Sequence, residues 1–282
     1  MTTLSKVKAI IAAVLLLAAG TQGAAHAAEQ DRSIVVASTT STQDSGLFEY
    51  LLPLFKSRTG ISVKVIALGT GQALDTARRG DADVVFVHDR DAELKFVADG
   101  DGLRRQPVMY NDFVLIGPRS DPAGVRGTRD VVQALGAIRN GRSPFISRGD
   151  RSGTNMAELR LWRDAGIEID SGKEAWYRSV GQGMGAALNM AAASGAYVLA
   201  DRATWLRFGN KADLQVLSEG DPRLFNQYGV ILVNPGRHAH VKQALGQQFI
   251  DYLTSSQGQS DIARYRIDGQ QVFYPNAQTA AH

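Results

Sequence analysis

Short apolar runs alternate along this chain with longer stretches whose apolar residues recur at helical spacing. Ile34–Ala37 is such a run, rich in β-branched residues, and predicts a strand. From Ser45 to Arg58 the residues Leu47, Leu51, Leu54 and Phe55 fall on one helical face, and Gly60 stops the pattern. Val63–Ala67 predicts a second strand, Gly69-Thr70-Gly71 a turn, and Gln72–Arg79 a helix. Val84–Val87 predicts a third strand, followed by a helix over Asp91–Ala98 that Gly100 ends. Strands and helices alternating at this spacing are the pattern of a parallel sheet covered by helices.

The rhythm changes at Pro107–Pro118, one long strand-like run between prolines. A second set follows: helix Arg129–Asn140, strand Phe145–Ser147 and helix Thr154–Gly166, then helix Gly185–Ala193, strand Tyr197–Leu199, helix Ala203–Leu206 and strand Leu214–Leu217. Tyr228–Asn234 is a second long apolar run, and helices Val241–Leu253 and Ser256–Arg264 close the pattern, with a frayed tail expected after Tyr274. The expectation is an α/β chain of two lobes, each a mostly parallel sheet flanked by helices, joined by two crossing strands. Residues 28–112 plus 228–282 make one lobe and residues 113–227 the other.

The first residues do not belong to this scheme. Lys6 and Lys8 precede an apolar core, Ala9–Ala19, and Ala25-His26-Ala27 offers a small-residue cleavage frame. Residues 1–27 therefore read as a secretory signal peptide, too short in its apolar core to span a bilayer. About 255 residues remain, and loss of the two lysines takes the formal charge from +3 to about +1. No basic block is left to attract nucleic acid or acidic lipid. Cysteine is absent, which rules out disulfides and thiolate metal sites.

Four strand-to-helix turns carry candidate chemistry. Ser38-Thr39-Thr40-Ser41 places four hydroxyls at a strand end before a helix, with Thr42 or Asp44 expected to cap it. Gly69-Thr70-Gly71 permits close backbone approach and adds a neutral donor. Arg148–Thr154 offers a guanidinium with Ser152 and Thr154 at a helix start; its plain alternative is an Arg148–Asp150 surface ion pair and a hydroxyl cap. Gly181-Gln182-Gly183-Met184 is a glycine-rich turn without full dinucleotide spacing, and reads as a backbone N–H loop. Tyr197, nearby in sequence, is a candidate phenolic donor or a half-buried strand residue. In a fold of this kind ligands bind beyond the carboxyl ends of strands, so the four turns would converge. A site so rich in N–H and O–H groups suits a small, fully ionised oxyanion.

These residues resemble the periplasmic tungstate-binding proteins of ABC transporters, relatives of the molybdate-binding proteins. The marker of that family, a Thr-Thr-Thr-Ser loop followed by S/T-x-D-S-G-L, is matched by Ser38–Leu47. Similar stretches are Gly69–Leu74, Gly80–His88, Met109–Gly117, Ser147–Thr154, Gly181–Met190, Tyr197–Thr204 and Tyr228–Pro235. The resemblance implies a two-lobe, type II periplasmic-binding fold that closes on tungstate or molybdate and delivers it to a membrane permease. It implies a periplasmic monomer with no cofactor and no catalytic activity. Carried over by position, Thr39, Thr40, Ser41, Thr70 and Gly71 bind from the first lobe. Arg148, Ser152, Gly153, Thr154, and Gly183 or Met184 bind from the second. Ser38 departs from the first threonine of the marker; Arg151 and Asn155 stand where the family usually has aspartate and histidine.

Two rivals remain open at this level. Phosphate often carries a proton at neutral pH and gains from an acceptor, for which Asp150 is the one carboxylate in place. An exported hydrolase would need a base beside a nucleophile such as Ser152. The histidines stand at positions 26, 88, 238, 240 and 282, and no G-x-S-x-G elbow occurs. His88 ends a strand near the turns and is expected to be structural.

Overall fold

The computed structural model describes residues 32–170 and 174–277; the leader read from residues 1–27 lies outside them. β1 (Ser33–Thr39) runs parallel between β2 (Ser62–Leu68) and β3 (Val84–Val87). Around them stand α1 (Thr40–Asp44), α2 (Leu47–Thr59), α3 (Thr70–Arg78) and α4 (Arg90–Ala98). β4 (Gly102–Pro118) leads into a second set. Its strands are β5 (Phe145–Ser147), β6 (Tyr177–Ser179), β7 (Tyr197–Asp201) and β8 (Leu214–Ser218). Its helices are α5 (Val131–Asn140), α6 (Gly153–Asp164), α7 (Met184–Ser194) and α8 (Arg202–Arg207). β9 (Phe225–Val233) returns the chain to the first set, where α9 (Gln243–Thr254) and α10 (Ser256–Arg264) follow. The short strands β10 (Arg266–Ile267), β11 (Gln270–Gln271) and β12 (Tyr274–Pro275) come last.

The main sheet runs in the order β2-β1-β3-β9-β4-β7-β5-β6. β4 and β9 are the two crossing strands, and β4 changes partner along its length. From Gly102 to Asp112 it pairs antiparallel with β9, and from Phe113 to Ile116 with β7. Both faces of the sheet are covered, so successive side chains enter different cores. On β4, Phe113 and Leu115 join Leu135 and Trp162, whereas Val114 and Ile116 join Ile146 and Met184. On β9, Tyr228, Val230 and Leu232 join Phe55 and Phe249, whereas Ile231 and Val233 join Phe96. Phe55 is fully buried edge-on against Phe249 at 5.1 Å, a contact whose truncation costs about 3–5 kcal/mol.

Three expectations need correction. The helix expected over Ser45–Arg58 forms as Leu47–Thr59, starting two residues late because Ser45 ends α1 and Gly46 takes φ 77°, a conformation open to glycine, so the chain turns there. The Tyr265 hydroxyl occupies that turn and donates to Ser45 O at 2.6 Å. The described part of the tail, through Ala277, is tied down: Tyr274–Pro275 pairs with Tyr110 and Met109 on β4, and Asn276 exchanges two hydrogen bonds with Gln227, while residues 278–282 lie outside the described residues. β6 was missing from the pattern, since Arg178 and Ser179 are exposed and leave no apolar alternation to read.

Candidate functional site

The four turns stand where strand ends meet helix starts, and one cavity of about 410 Å³ is lined from all of them by Thr40, Gly69, Asp150, Arg151 and Gly183. The first turn is set by the length of β1, which runs two residues past its apolar stretch. Thr39 thereby becomes the N-cap of α1, its Oγ1 accepting from the Thr42 N–H at 3.2 Å. The cap is made by Thr39, not by Thr42 or Asp44.

The hydroxyls of this turn point different ways. Ser38 Oγ donates to Phe86 O at 2.5 Å. Thr39 Oγ1 lies 2.6 Å from Thr42 Oγ1 and 3.1 Å from Ser41 Oγ. Ser41 Oγ is 3.0 Å from His88 Nε2, and His88 Nδ1 is 3.0 Å from Asn226 Oδ1. Asn226 Nδ2 donates to Asn111 Oδ1 at 2.6 Å, and with the amide so oriented its Oδ1 faces His88, whose Nδ1 then carries the proton. Burial pushes the His88 imidazole down to about 4, and the nearby Arg148 charge adds to this against the Asn226 bond. The neutral ring therefore accepts the Ser41 proton. Thr40 differs, because its Oγ1 accepts from Arg148 Nη2 at 3.2 Å. Among the described residues, Thr40 is the member of Ser38–Ser41 whose hydroxyl proton has no acceptor.

In the second turn Gly69 caps α3, and Thr70 and Gly71 open it. A Cβ at residue 69 would lie 3.4 Å from Asp150 O, an ordinary contact distance, so the third turn packs directly on this one. Thr70 Oγ1 accepts from the Gly153 N–H at 3.0 Å, and Gly71 is exposed.

The third turn carries the cation. Arg148 is only 2 % exposed; its Nε and Nη2 reach Asp150 Oδ2 at 3.1 and 2.5 Å, and Asp150 Oδ1 accepts from Ser152 N. The expected Arg148–Asp150 pair thus forms, but buried rather than on the surface. Ser152 caps α6 and also keeps a hydroxyl proton. Asn155 braces the loop, accepting from Arg151 N and donating to Ser147 Oγ. Ser147 Oγ also accepts from Gly149 N and donates to Glu158 Oε2 at 2.7 Å. Glu158 accepts from Trp162 and Tyr177 as well, yet burial pushes its carboxyl up to about 7. Two buried donors of this turn, Arg148 Nη1 and Thr154 Oγ1, have no partner among the described residues. Arg151, at φ 57°, is exposed.

In the fourth turn Gly183 caps α7, and a Cβ there would stand 4.0 Å from Thr40 Oγ1. The Met184 side chain is buried with Ile146 and Val198, so only its backbone N–H, in the first helical turn, is available to a ligand. Tyr197 is elsewhere: its hydroxyl donates to Asp121 at 2.7 Å and accepts from Ala123 N.

Such an arrangement can hold a small anion. Helix starts supply N–H groups, Thr40 and Thr154 supply hydroxyls, and Arg148 supplies a charge that Asp150 nearly balances. A cargo needing an acceptor is poorly served, because both Asp150 oxygens are already engaged. His88, expected to be structural, is so, bracing Ser41 and Asn226 from behind the turns; the sequence reading passed over Asn226 and Glu158, which lie behind the turns with it.

A family model described as a PBP superfamily domain matches residues 21–257. Over 287 residues the chain is 43 % identical to the tungstate-binding protein TupA of Peptoclostridium acidaminophilum, covering 97 % of this chain and 99 % of that protein. The solved tungstate-binding protein TupA from Desulfovibrio alaskensis G20 matches at 42 % identity and TM-score 0.75, over 87 % of this chain and 99 % of the other. A structure titled as the tungstate ABC transporter from Geobacter sulfurreducens matches at 48 % identity and TM-score 0.77, over 83 % and 99 %.

Proposed function

The chain belongs to the PBP superfamily and, within it, to the family of tungstate-binding proteins, and from that membership we propose how it works. It is a solute-binding protein of a tungstate ABC transporter that captures the oxyanion between two lobes and delivers it to a permease. The lobes are residues 28–112 plus 228–282 and residues 113–227, a division supported by the partner change of β4 between Asp112 and Phe113. Export through the leader, with its removal, puts the mature protein in the periplasm as a monomer.

The ligand contacts come from Thr39, Thr40, Ser41, Thr70, Gly71, Arg148, Ser152, Gly153, Thr154, Gly183 and Met184. Thr39 and Ser41 contribute through the backbone, as do Gly71, Gly183 and Met184; Thr40, Thr154 and Arg148 contribute side-chain donors, and the Gly153 N–H holds Thr70 Oγ1, whose hydroxyl proton faces the ligand. The observation that carries this reading is the pair of buried, unpartnered donors, Arg148 Nη1 and Thr154 Oγ1, on one side of a cleft whose other side offers the Thr40 hydroxyl. Leaving such donors unpaired costs about 1–3 kcal/mol each, a cost that a bound oxyanion removes. Tungstate and molybdate, with no proton at neutral pH, match a donor-only site; phosphate does not.

Catalysis is not part of the proposal, although Ser41, His88 and Asn226 stand in a nucleophile–base–orienter row. Ser41 is 1 % exposed and His88 is a weak base at about 4, so neither reaches a substrate nor draws a proton well. Calorimetry of the mature protein with tungstate, molybdate, sulfate and phosphate tests the assignment. Tungstate should bind tightly, and binding of phosphate alone would overturn the reading.

A further inference from the structure

The N–H of Gly153 reaches Thr70 across the cleft, and the α-carbon of Gly153 rests on His88. A Cβ added at residue 153 would lie 2.8 Å from His88 Cε1, 2.9 Å from Nδ1 and 3.1 Å from the His88 carbonyl oxygen. Gly153 is not among the glycines at positive φ, so what it needs here is space, not conformational freedom.

The imidazole beneath it is firmly held. Ser41 and Asn226 engage its two nitrogens, Tyr228 stacks on it at 4.8 Å and 28°, and the residue is 4 % exposed. The remaining edge borders a separate cavity of about 410 Å³ that Asn226, Arg160 and Phe113 also line. With space on that side, the two hydrogen bonds and the stack are what fix the ring. They tie it to α1 and β9, while Gly153 starts α6 on the opposite side of the cleft.

We propose that His88 is the positioning residue that sets how far the cleft closes, its imidazole being the seat on which Gly153 lands. The inference rests on the tungstate reading above. With Gly153 seated, Thr154 and Arg148 stand at a fixed distance from Thr40 and Thr70. The seat thereby sets the size of tetrahedral oxyanion gripped by both sides. A thinner seat lets the lobes close further and favours the smaller sulfate; a thicker one holds them apart and weakens every anion.

The test is calorimetry with sodium tungstate and sodium sulfate on the mature wild type and on Gly153→Ala, His88→Asn, His88→Ala and the double variant Gly153→Ala/His88→Ala. Circular dichroism and thermal unfolding establish that each is folded. Gly153→Ala should weaken tungstate by roughly tenfold to hundredfold and diminish the tungstate-induced compaction seen by small-angle X-ray scattering. The double variant should bind tungstate more tightly than Gly153→Ala does, and the His88 variants should lower the tungstate-to-sulfate preference. Should His88→Ala not fold, His88→Asn carries the selectivity arm and Gly153→Ala the spacing arm. Wild-type affinity in folded Gly153→Ala, or unchanged selectivity in the folded His88 variants, overturns the inference. Failure of the wild type itself to bind tungstate instead refutes the functional reading.

Discussion

Arg148 spans the cleft to Thr40: Nη2 donates to Thr40 Oγ1 at 3.2 Å while Nε and the same Nη2 hold Asp150. These bonds from the protein itself fix the guanidinium's direction, and among the described residues Nη1 has no partner. Replacing Arg148 with Gln should reduce tungstate affinity by about 2–5 kcal/mol, as removal of a buried, hydrogen-bonded charge does. Arg148→Lys should fall between, because one ammonium cannot reproduce the planar fork that serves Asp150 and Thr40 together. Calorimetry measures both, and equal affinity for Gln and wild type would remove Arg148 from the site.

The hydroxyl row predicts opposite outcomes for neighbours. Thr40→Val removes the free proton and should cost about 1.5–3 kcal/mol of tungstate binding, the worth of a hydrogen bond to a charged group. Ser38→Ala removes a bond to Phe86 O instead, and should lower unfolding stability by about 1 kcal/mol while leaving tungstate affinity as it was. Paired titration and denaturant unfolding of the two variants decide it; a Ser38→Ala binding defect equal to that of Thr40→Val would contradict the assignment.

Thr154 separates stability from binding. Its Oγ1 is buried without a partner among the described residues, so Thr154→Val should raise the unfolding temperature measured without tungstate by about 2–4 °C. The same change should weaken tungstate roughly tenfold, since a donor is lost from the bound state. Thermal unfolding with and without tungstate reads both effects in one sample series.

Glu158 gives a pH dependence with a definite sign. Its folded value of about 7 lies above the ordinary 4.5, so between those limits the folded protein holds a proton that the unfolded chain has released. The stability credited to Glu158 is present below about 4.5 and is lost as pH rises toward 7. Unfolding free energies of wild type and Glu158→Gln, taken without ligand across that window, should show the wild-type advantage shrinking with pH. Glu93, also raised to about 7, and His88, lowered to about 4, titrate in both proteins and cancel in the difference. A difference independent of pH would show that the carboxyl keeps its charge throughout.

The strand-to-helix turns were legible because Gly69, Ser152 and Gly183 are residues a βα turn favours. Gly69 and Ser152 also stand where an apolar strand run gives way to a period of 3.6, whereas at Gly183 the alternating glycines alone carried the signal. Hydroxyl direction was not legible. Ser38, Thr39, Thr40 and Ser41 look interchangeable as letters, and only Phe86, Arg148 and His88, brought in by the fold, tell them apart. His88 was legible as a structural residue near the turns, but not what it braces: a lone histidine ending a strand carries no spacing signal, and its partners are 47 and 138 positions away. The break at Gly46 was hidden because Leu47, Leu51 and Phe55 still keep helical period after the turn.

The antiparallel register of β3 with β9 sets the order in which the chain can acquire structure. Val84–Val87 pairs with Gly229–Leu232, roughly 145 residues further on. Until those residues are available the edge of β3 is bare, whereas β5, β6 and β7 find one another within a stretch of about 57 residues. The inserted set can therefore consolidate first, and the amino-terminal half must wait with an open sheet edge for the returning strand. For the export proposed above such delay is useful, since a polypeptide whose first half cannot complete its sheet remains longer in a threadable state.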